Sequence, residues 1–259
     1  MNPVCVIVPY SSAHTPDTLL DSAISSARRQ SVETNIIVVE DKEGHGPAWA
    51  RNKGLERSNS DLVAFLDADD RWLPNKLERQ LAALKTHGVA LCVEGDCDET
   101  STAVELEPFI SELLFGDMGS LTSTILLDRR RAPNVQFDES LNLFEDHLFM
   151  IQAAVAGGVC FCDGPLAEIE KHDKGLSARS DPEQLFESRL AVAERLEGEP
   201  TTEQFVERLR HLAYYGLGRQ HQLQGSPVAG VRPLLKSLWY RPAIKPLAAV
   251  ALTPYYLVT

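Results

Sequence analysis

The chain is predicted to be an α/β protein with a mostly parallel central sheet flanked by helices, in a Rossmann-like arrangement. Two observations predict this fold. Short apolar runs alternate with helical segments through the first half of the chain, and this β-α-β-α-β-α-β order is typical of parallel strands joined by crossover helices. Acidic side chains follow directly after two of the apolar runs, at the strand ends where such sheets bind ligands.

The elements of this first half follow from apolar runs and from helix-start signals. Four apolar runs predict strands over Val4 to Val8, Ile36 to Val39, Leu62 to Leu66 and Val89 to Val93. Helices are predicted between them, since Pro is favoured in a first helical turn and Thr at an N-cap. They are Thr15 to Arg29, with Thr15 as N-cap and Pro16 in the first turn, Ala48 to Glu56, and Pro74 to Lys85.

The second half is predicted to be less regular and to end in helices. Glu94 to Glu107 is acidic and poor in large apolar residues, which predicts a loop. Further strands are predicted over Ser120 to Leu127, Val159 to Cys162 and Leu166 to Glu170. Further helices are predicted over Leu148 to Ala156, from a capped start at Asp181 to Leu196, and over Thr202 to Gln222. We expect a main domain over 1–180, a helical part over 181–225 packed on it, and a tail over 226–259.

Composition narrows the class of protein. The 259 residues carry a net charge of −12, which argues against nucleic-acid binding because that requires a basic face. The acidic surface indicates either adaptation to high salt or an ordinary acidic protein. Five cysteines, an odd number within apparent strands, predict reduced core thiols, and their spacing does not match a zinc site. With no secretory signal before the first strand, we expect a cytoplasmic protein.

The tail, residues 226–259, differs from the rest in charge. It contains four basic residues and no acidic one, together with one tryptophan and three tyrosines. This composition suits peripheral contact with the anionic face of a membrane, and the alternative is a helical tail packed on the acidic body. Prolines at positions 246 and 254 break it into pieces too short to span a bilayer, which takes ~20 apolar residues.

The most informative motif is the acidic run that ends the third predicted strand, Phe65-Leu66-Asp67-Ala68-Asp69-Asp70. Carboxylates this close repel one another and are costly to desolvate, and a bound cation removes that cost. Oxygen ligands suit a hard ion such as Mg²⁺ or Mn²⁺, which in turn suits a diphosphate. The alternative is a solvated turn.

Polar residues elsewhere have two readings each. Asp41, at the end of the second strand, either accepts a hydrogen bond from a nucleobase or caps a turn. Arg51 either holds a base or diphosphate oxygens in a bidentate fork or forms a surface ion pair, and Asn52 positions either the base or the next loop. Glu145 and Asp146 open an apolar helix, where the helix dipole keeps a carboxylate ionised, and helix capping is the alternative.

Five segments, in order, resemble the family 2 glycosyltransferases, which have the nucleotide-diphospho-sugar transferase (GT-A) fold. The resemblance covers about residues 3–180. The segments are Val6-Ile7-Val8-Pro9-Tyr10, Val38-Val39-Glu40-Asp41, Ala50-Arg51-Asn52-Lys53-Gly54, Phe65 to Asp70 followed by Trp72-Leu73-Pro74, and Phe144-Glu145-Asp146.

The resemblance implies a role for each matching residue. Asp146 would be the general base of an inverting transfer, with Glu145 as the fallback. Asp69 would be the principal metal ligand, and Asp67 would contact the ribose, the sugar or a metal-bound water. Asp70 would be either a second ligand or a cap-like residue before the next segment, and His172, in the loop after the last strand, would touch the diphosphate or the metal. The donor site would include Pro9, Tyr10, Asp41, Arg51, Asn52, Asp67, Ala68 and Asp69.

We therefore expect a metal-dependent glycosyltransferase that takes its sugar from a nucleotide-diphospho-sugar, with Mn²⁺ or Mg²⁺. The acceptor is expected to be a glycan or a lipid-linked sugar at the inner face of the cell membrane, in polysaccharide or glycoprotein glycan biosynthesis. One alternative is a nucleotidyltransferase on a related fold, which needs a Gly-rich basic loop after the first strand, and residues 9–14 contain neither glycine nor lysine. The other alternative is a non-catalytic nucleotide-sugar-binding protein.

Overall fold

The computed structural model describes residues 3–97, 100–116, 122–170 and 181–253. The chain divides into two compact units. The first unit comprises Met1–Ser140 and Glu145–His172, and the second comprises Leu141–Phe144 and Asp173–Thr259. The three-part division expected above, into 1–180, 181–225 and 226–259, stays a prediction.

The first unit is built on a seven-stranded sheet in the order β2-β1-β3-β7-β5-β8-β6. In this sheet β1, β2, β3, β5 and β8 run one way, while β6 and β7 run the other, which confirms the mostly parallel sheet. A separate antiparallel pair joins β4 to β9. The strands are β1 (Val4–Tyr10), β2 (Thr34–Glu40), β3 (Leu62–Phe65), β4 (Arg71–Trp72), β5 (Leu91–Glu94), β6 (Ser101–Val104), β7 (Leu126–Asp128), β8 (Val159–Cys162) and β9 (Ala167–Glu168).

Five helices flank these strands within the described part of the first unit. They are α1 (Asp17–Arg28), α2 (Pro47–Arg57), α3 (Lys76–His87), α4 (Leu106–Phe115) and α5 (Glu145–Gly157). The expected N-cap Thr15 is wrong, because Pro16 is the last extended residue and so occupies the cap itself. The third helix begins at Lys76 rather than Pro74, since Asn75 takes a left-handed conformation with φ 66° just before it.

Two predictions in the middle of the chain are wrong. The expected loop over 94–107 contains β6, which pairs antiparallel with β8 at the edge of the sheet. A strand at the edge of a sheet pairs on one side only and is less buried than a central strand. This short strand is therefore polar enough that its sequence shows no apolar run. In the described part of the expected strand over 120–127, Thr122–Thr124 form a 3-10 turn and only the last residues enter β7.

The core beneath the carboxyl ends of the strands is aromatic. Phe137 and Phe149 stack with ring centroids 4.0 Å apart, and Phe65, at the end of β3, meets both rings edge-on at 5.2 and 5.5 Å. Edge-to-face contacts of this kind add to the stabilisation from burial alone. The acidic run that follows Phe65 is therefore anchored to a rigid base.

The second unit is helical in its described residues. Its helices are α6 (Pro182–Leu196), α7 (Glu203–Leu223), α8 (Pro227–Tyr240) and α9 (Ile244–Ala251). The capped start of α6 is confirmed, since the Asp181 carboxylate accepts a hydrogen bond from the Glu183 backbone N–H at 3.3 Å. Helices α7 and α8 approach closely at two glycines, and a Cβ on Gly230 would lie 2.4 Å from the Gly218 carbonyl oxygen. Across the described ranges, no helix combines the length and apolar character that crossing a bilayer requires.

Candidate active site

The sheet topology brings the two predicted acidic strand ends close together in the first unit. Strand β1 lies between β2 and β3 and is parallel to both. The Asp41 backbone N–H, just past the end of β2, donates to the Tyr10 carbonyl at the end of β1, at 2.7 Å. Asp67 follows β3 two residues beyond Phe65. These side chains therefore share the carboxyl edge of the sheet, where α/β proteins bind ligands.

Asp41 organises the loop between β2 and α2. Its carboxylate accepts hydrogen bonds from the backbone N–H groups of Gly44, His45 and Gly46 at 2.9, 3.0 and 2.8 Å. Burial would raise the pKa of Asp41, but these donors, with Gly46 the strongest, hold it below its usual value. Asp41 thus caps the turn, and its contact with a nucleobase stays a prediction.

Tyr10 fixes the first strand to the first helix. Its hydroxyl donates to the Asp17 carboxylate at the start of α1, and this hydrogen bond raises the pKa of Tyr10 to about 12. In the loop held by Asp41, His45 stacks on Trp49 with ring centroids 4.5 Å apart. Donor contacts by Pro9 and Tyr10 stay predictions, but Tyr10 has a clear structural partner.

Arg51 joins two distant parts of the site. Its Nη2 donates to Asp67 Oδ1 at 2.8 Å, and its Nη1 donates to Glu145 Oε1 at 3.3 Å. Arg51 is only 4% exposed, so the guanidinium end of both ion pairs is buried, unlike the surface pair that was the alternative. The guanidinium also lies 5.3 Å from the centroid of the Phe137 ring. Among the described residues, its Nε has no hydrogen-bond partner.

Burial and charge act against each other in this cluster. Burial would lower the pKa of the Arg51 guanidinium, but the carboxylates of Asp67 and Glu145 outweigh it and raise that pKa. Burial raises the pKa of Glu145 to about 6, helped by the neighbouring Asp146 charge and opposed by Arg51. A buried ion pair of this kind is strongly weakened when one partner is removed, because the other charge is then left unpaired.

Asp146 is adjacent to the cluster and has its own partner. Its Oδ1 accepts a hydrogen bond from the His147 backbone N–H at 2.8 Å and lies 3.1 Å from His147 Nδ1. The carboxylate sits in the first turn of α5, where the helix dipole favours a negative charge. Its role as general base stays a prediction, and the pairing with His147 was not anticipated.

The acidic run after β3 divides into exposed and buried carboxylates. The Asp67 side chain is 32% exposed. Asp69 is also partly exposed. Asp70 is buried: its Oδ2 accepts from the Ser123 hydroxyl at 2.5 Å, and its Oδ1 from the Glu170 backbone N–H at 3.1 Å. Burial, with the Asp67 charge nearby, raises the pKa of Asp70 to about 7. Ala68 is buried between them, and its donor contact stays a prediction.

These carboxylates fit a metal that is shared with a ligand. Across the described ranges, no three His, Cys, Asp or Glu side chains group to hold an ion by themselves. Mg²⁺ and similar ions, however, commonly bind through one or two carboxylates together with substrate phosphates and water. Asp69 and Asp67, both partly exposed, offer that donor set, whereas Asp70 faces protein donors. His172, the other predicted ligand, lies outside the described residues.

Asn52 holds a loop of the site wall. Its Nδ2 donates to the Phe137 carbonyl at 2.9 Å and to Glu139 Oε1 at 2.8 Å, and its Oδ1 accepts from the Phe137 N–H at 2.9 Å. These bonds agree with the positioning role considered above, although the loop it positions is distant in sequence. A direct donor contact by Asn52 stays a prediction.

Sequence reasoning missed Ser123, whose hydroxyl also accepts a hydrogen bond from the Asp67 backbone N–H at 3.0 Å. It therefore links the first and last carboxylates of the acidic run. The Ser123 carbonyl accepts from Trp72 Nε1 at 2.7 Å, which fixes the segment after the run as well. A serine within a short polar stretch carries no spacing signal, so only the fold reveals it.

Comparison with known proteins finds a family that resembles part of the chain. The model of glycosyl transferase family 2 matches residues 17–135. The amylovoran biosynthesis glycosyltransferase AmsB of Erwinia amylovora is 31% identical over 159 residues, or 53% of this chain and 50% of AmsB. The Escherichia coli UDP-Glc:alpha-D-GlcNAc-diphosphoundecaprenol beta-1,3-glucosyltransferase WfaP is 30% identical over 112 residues, or 40% of this chain and 44% of WfaP. The chain spans about half the length of the curated relatives it matches.

Solved structures share the fold. S. aureus TarS 1-349, in complex with UDP-GlcNAc, matches with a TM-score of 0.68 at 16% identity, over 99% of this chain and 88% of the TarS chain. The mannosyltransferase PcManGT of Pyrobaculum calidifontis, in complex with GDP-Man and Mn²⁺, matches with a TM-score of 0.55 at 13% identity, over 99% and 80%. These likenesses establish the GT-A fold, and the match over residues 17–135, together with the curated relatives, supports a family 2 glycosyltransferase.

Proposed function

We propose that this protein is an inverting, metal-dependent glycosyltransferase that moves a sugar from a nucleotide-diphospho-sugar to an acceptor hydroxyl. The single observation that carries the proposal is the Arg51 cluster. Arg51 connects Asp67, in the acidic run predicted to bind the donor, to Glu145, the residue before the predicted base. Asp67 and Glu145 lie far apart in sequence, and one buried arginine brings them together at the carboxyl edge of the sheet.

The donor side of the site is assigned to the acidic run. Asp69 and Asp67 would hold a divalent ion together with the donor diphosphate, and the bound ion would act as a Lewis acid that stabilises charge on the departing diphosphate. Asp70 holds Ser123 and the Glu170 backbone, so its part is to fix the shape of the run. The complex of PcManGT with GDP-Man and Mn²⁺ supports a metal in this fold.

The acceptor side is assigned to the start of α5. In an inverting transfer, the acceptor oxygen bonds to the anomeric carbon while the bond to the diphosphate breaks and its electron pair leaves with the diphosphate. The acceptor proton passes to a base, assigned to Asp146. Glu145 is the weaker candidate because its carboxylate already pairs with Arg51. The His147 contact holds the Asp146 carboxylate in place.

We propose a lipid-linked sugar or a growing glycan as the acceptor. The support is the names of the relatives, since WfaP is named for a diphosphoundecaprenol-linked substrate and AmsB for amylovoran biosynthesis. A cytoplasmic location at the inner face of the membrane follows from such an acceptor as a further prediction.

The substitution Asp146→Asn tests the assignment of the base. We expect it to lower the transfer rate by at least about a hundredfold, the usual contribution of general-base catalysis, while donor affinity is unchanged. Radiolabelled sugar transfer measures the rate, and calorimetry measures donor affinity. The matched control is Asp61→Asn, before the amino end of β3, which we expect to act like the wild type. A variant that transfers normally, or that fails to bind donor, would contradict the role.

A further inference from the structure

Helices α8 and α9 carry an unusual exposed apolar surface. Throughout the described ranges, all large apolar side chains that are strongly exposed lie between positions 223 and 252, with exposures of 49% to 85%. Trp239 and Ile244 are the most exposed, at 85% and 84%. Large contiguous exposed apolar patches on soluble proteins mark interaction sites. The other members are Leu223, Val228, Leu235, Leu247 and Leu252.

On α8 these residues form one stripe. Val228, Leu235 and Trp239 are spaced by seven and four residues, which places them on the same face of a helix with 3.6 residues per turn. The opposite face is buried within the second unit, at Gly230, Leu234 and Ser237. The stripe is therefore the outer side of a helix whose inner side is already packed.

On α9 the same division recurs. Ile244 and Leu247 are exposed, while Pro246 and Ala249 are buried. Gln222 of α7 donates to the Ala249 carbonyl at 2.7 Å, which fixes the buried side of α9 within the second unit.

Charge indicates what this surface contacts. The chain as a whole has a net charge of −12, yet no acidic residue follows Glu207. Seven basic residues do follow it, and Arg232, Lys236 and Lys245 are exposed on α8 and α9 beside the apolar stripe. A second copy that paired through the same face would place basic residues opposite basic residues. Elsewhere, the described surface of a second copy has no comparable set of exposed large apolar side chains to cover this face. Basic residues around an exposed apolar face instead complement anionic headgroups over acyl chains.

We propose that the outer face of α8 and α9 docks on an anionic lipid bilayer. Trp239, Ile244 and Leu247 would enter the headgroup–acyl boundary, and Arg232, Lys236 and Lys245 would lie at the headgroups. A tryptophan suits this boundary because its ring is apolar and its N–H polar. The lipid in question is the bilayer itself, so the proposal is independent of which sugar, donor or acceptor the first unit uses.

Flotation of the full-length protein with vesicles tests this proposal. We expect binding to vesicles of phosphatidylcholine with 30% phosphatidylglycerol, on the order of tenfold weaker binding to pure phosphatidylcholine, and weakening by added salt. Trp239→Ser combined with Ile244→Ser should lower the partition coefficient at least about tenfold, since burial of apolar area is lost. Arg232→Gln combined with Lys245→Gln should remove most of the preference for the anionic vesicles.

The matched charge control is Arg28→Gln combined with Lys85→Gln, two exposed basic residues of α1 and α3, which should leave partition unchanged. Circular dichroism of each variant verifies that it is folded. Failure of the folded wild type to float with anionic vesicles would overturn the proposal. It would also be overturned if sedimentation showed a dimer that the Trp239 and Ile244 changes dissociate. Because no donor is present, neither result bears on the proposed transfer reaction.

Discussion

At the scale of single residues, the site depends on a few polar side chains that bond to segments distant in sequence. Arg51 is the centre of this arrangement, because one guanidinium binds carboxylates from two separate segments. Ser123 plays a similar part for the acidic run, since its hydroxyl connects the Asp67 backbone to the Asp70 carboxylate. Such residues can control the orientation of the reactive carboxylates without contacting the substrate.

Replacement of Arg51 tests this coupling. Arg51→Met leaves the largely buried Glu145 and the partly exposed Asp67 without a counter-charge, so we expect the free energy of unfolding to fall by about 3 kcal/mol. Arg51→Lys keeps the positive charge but cannot bind both carboxylates through two separate nitrogens. Relative to Arg51→Met, it should recover part of the stability while the transfer rate stays low. Urea denaturation measures the first effect, and the transfer assay measures the second.

The matched control is Arg71→Met, because Arg71 pairs with Glu168 at 3.2 Å while both side chains are about half exposed, at 49% and 58%. An exposed ion pair contributes only about 0–1 kcal/mol, so this variant should lose little stability. Equal losses for Arg51→Met and Arg71→Met would contradict a special role for the Arg51 cluster.

At the scale of elements, α3 begins with a buried lysine whose amine contacts a glutamine side chain and a tryptophan ring. Lys76 is fully buried, donates to Gln80 Oε1 at 2.6 Å, and has its Nζ 4.4 Å from the centroid of the Trp72 ring. Burial lowers the pKa of Lys76 to about 7, although nearby Cys92, Cys162 and Glu94 favour the charged amine. Helix α3 therefore packs on the sheet at a cost that depends on pH.

The sign of this pH dependence follows from the two pKa values. Between about pH 7 and 10.5 the unfolded chain holds a proton on Lys76 that the folded chain releases, so stability rises with pH in this window. Below pH 7 the buried Lys76 amine is charged in the folded chain, so the full free-energy cost of burying that charge is present. The variant Lys76→Met removes it, and its stability relative to the wild type should be highest at pH 6 and fall by up to ~1.4 kcal/mol per pH unit towards pH 9.

Urea midpoints of the wild type and Lys76→Met at each pH measure this difference, and any constant cost of the methionine cancels in the comparison. The control is Lys85→Met, an exposed position in the same helix, for which the difference should not depend on pH. Parallel stability curves for the wild type and Lys76→Met would contradict the assignment.

At the scale of the whole chain, the parts that could be predicted from sequence are those that depend on local pattern. Apolar runs such as Val4 to Val8 indicated the parallel strands, and the acidic run after Phe65 indicated the ligand edge of the sheet. The edge strand Ser101–Val104 was missed because pairing on one side, rather than apolar content, holds it in place.

The site was predictable only in its residue types. The Arg51–Glu145 contact spans 94 positions and the Asp67–Ser123 contact spans 56, and no local pattern records which partner a buried polar group will choose. For the same reason, the sequence left open whether Asp41 contacts a nucleobase or caps a turn. The structure shows its carboxylate accepting from three N–H groups of the following loop, and the nucleobase contact stays a prediction.

Calorimetric titration with nucleotide sugars tests the central claim most directly. The wild type and Asp69→Asn are each titrated with UDP-glucose, UDP-GlcNAc and GDP-mannose, with and without Mn²⁺, and Asp61→Asn serves as the control. We predict that at least one donor binds the wild type and the control in the presence of Mn²⁺, and that Asp69→Asn weakens this binding by at least about tenfold, or ~1.4 kcal/mol. Donor binding that is the same for Asp69→Asn as for the wild type, or no heat from any donor with the folded wild type, would contradict the claim.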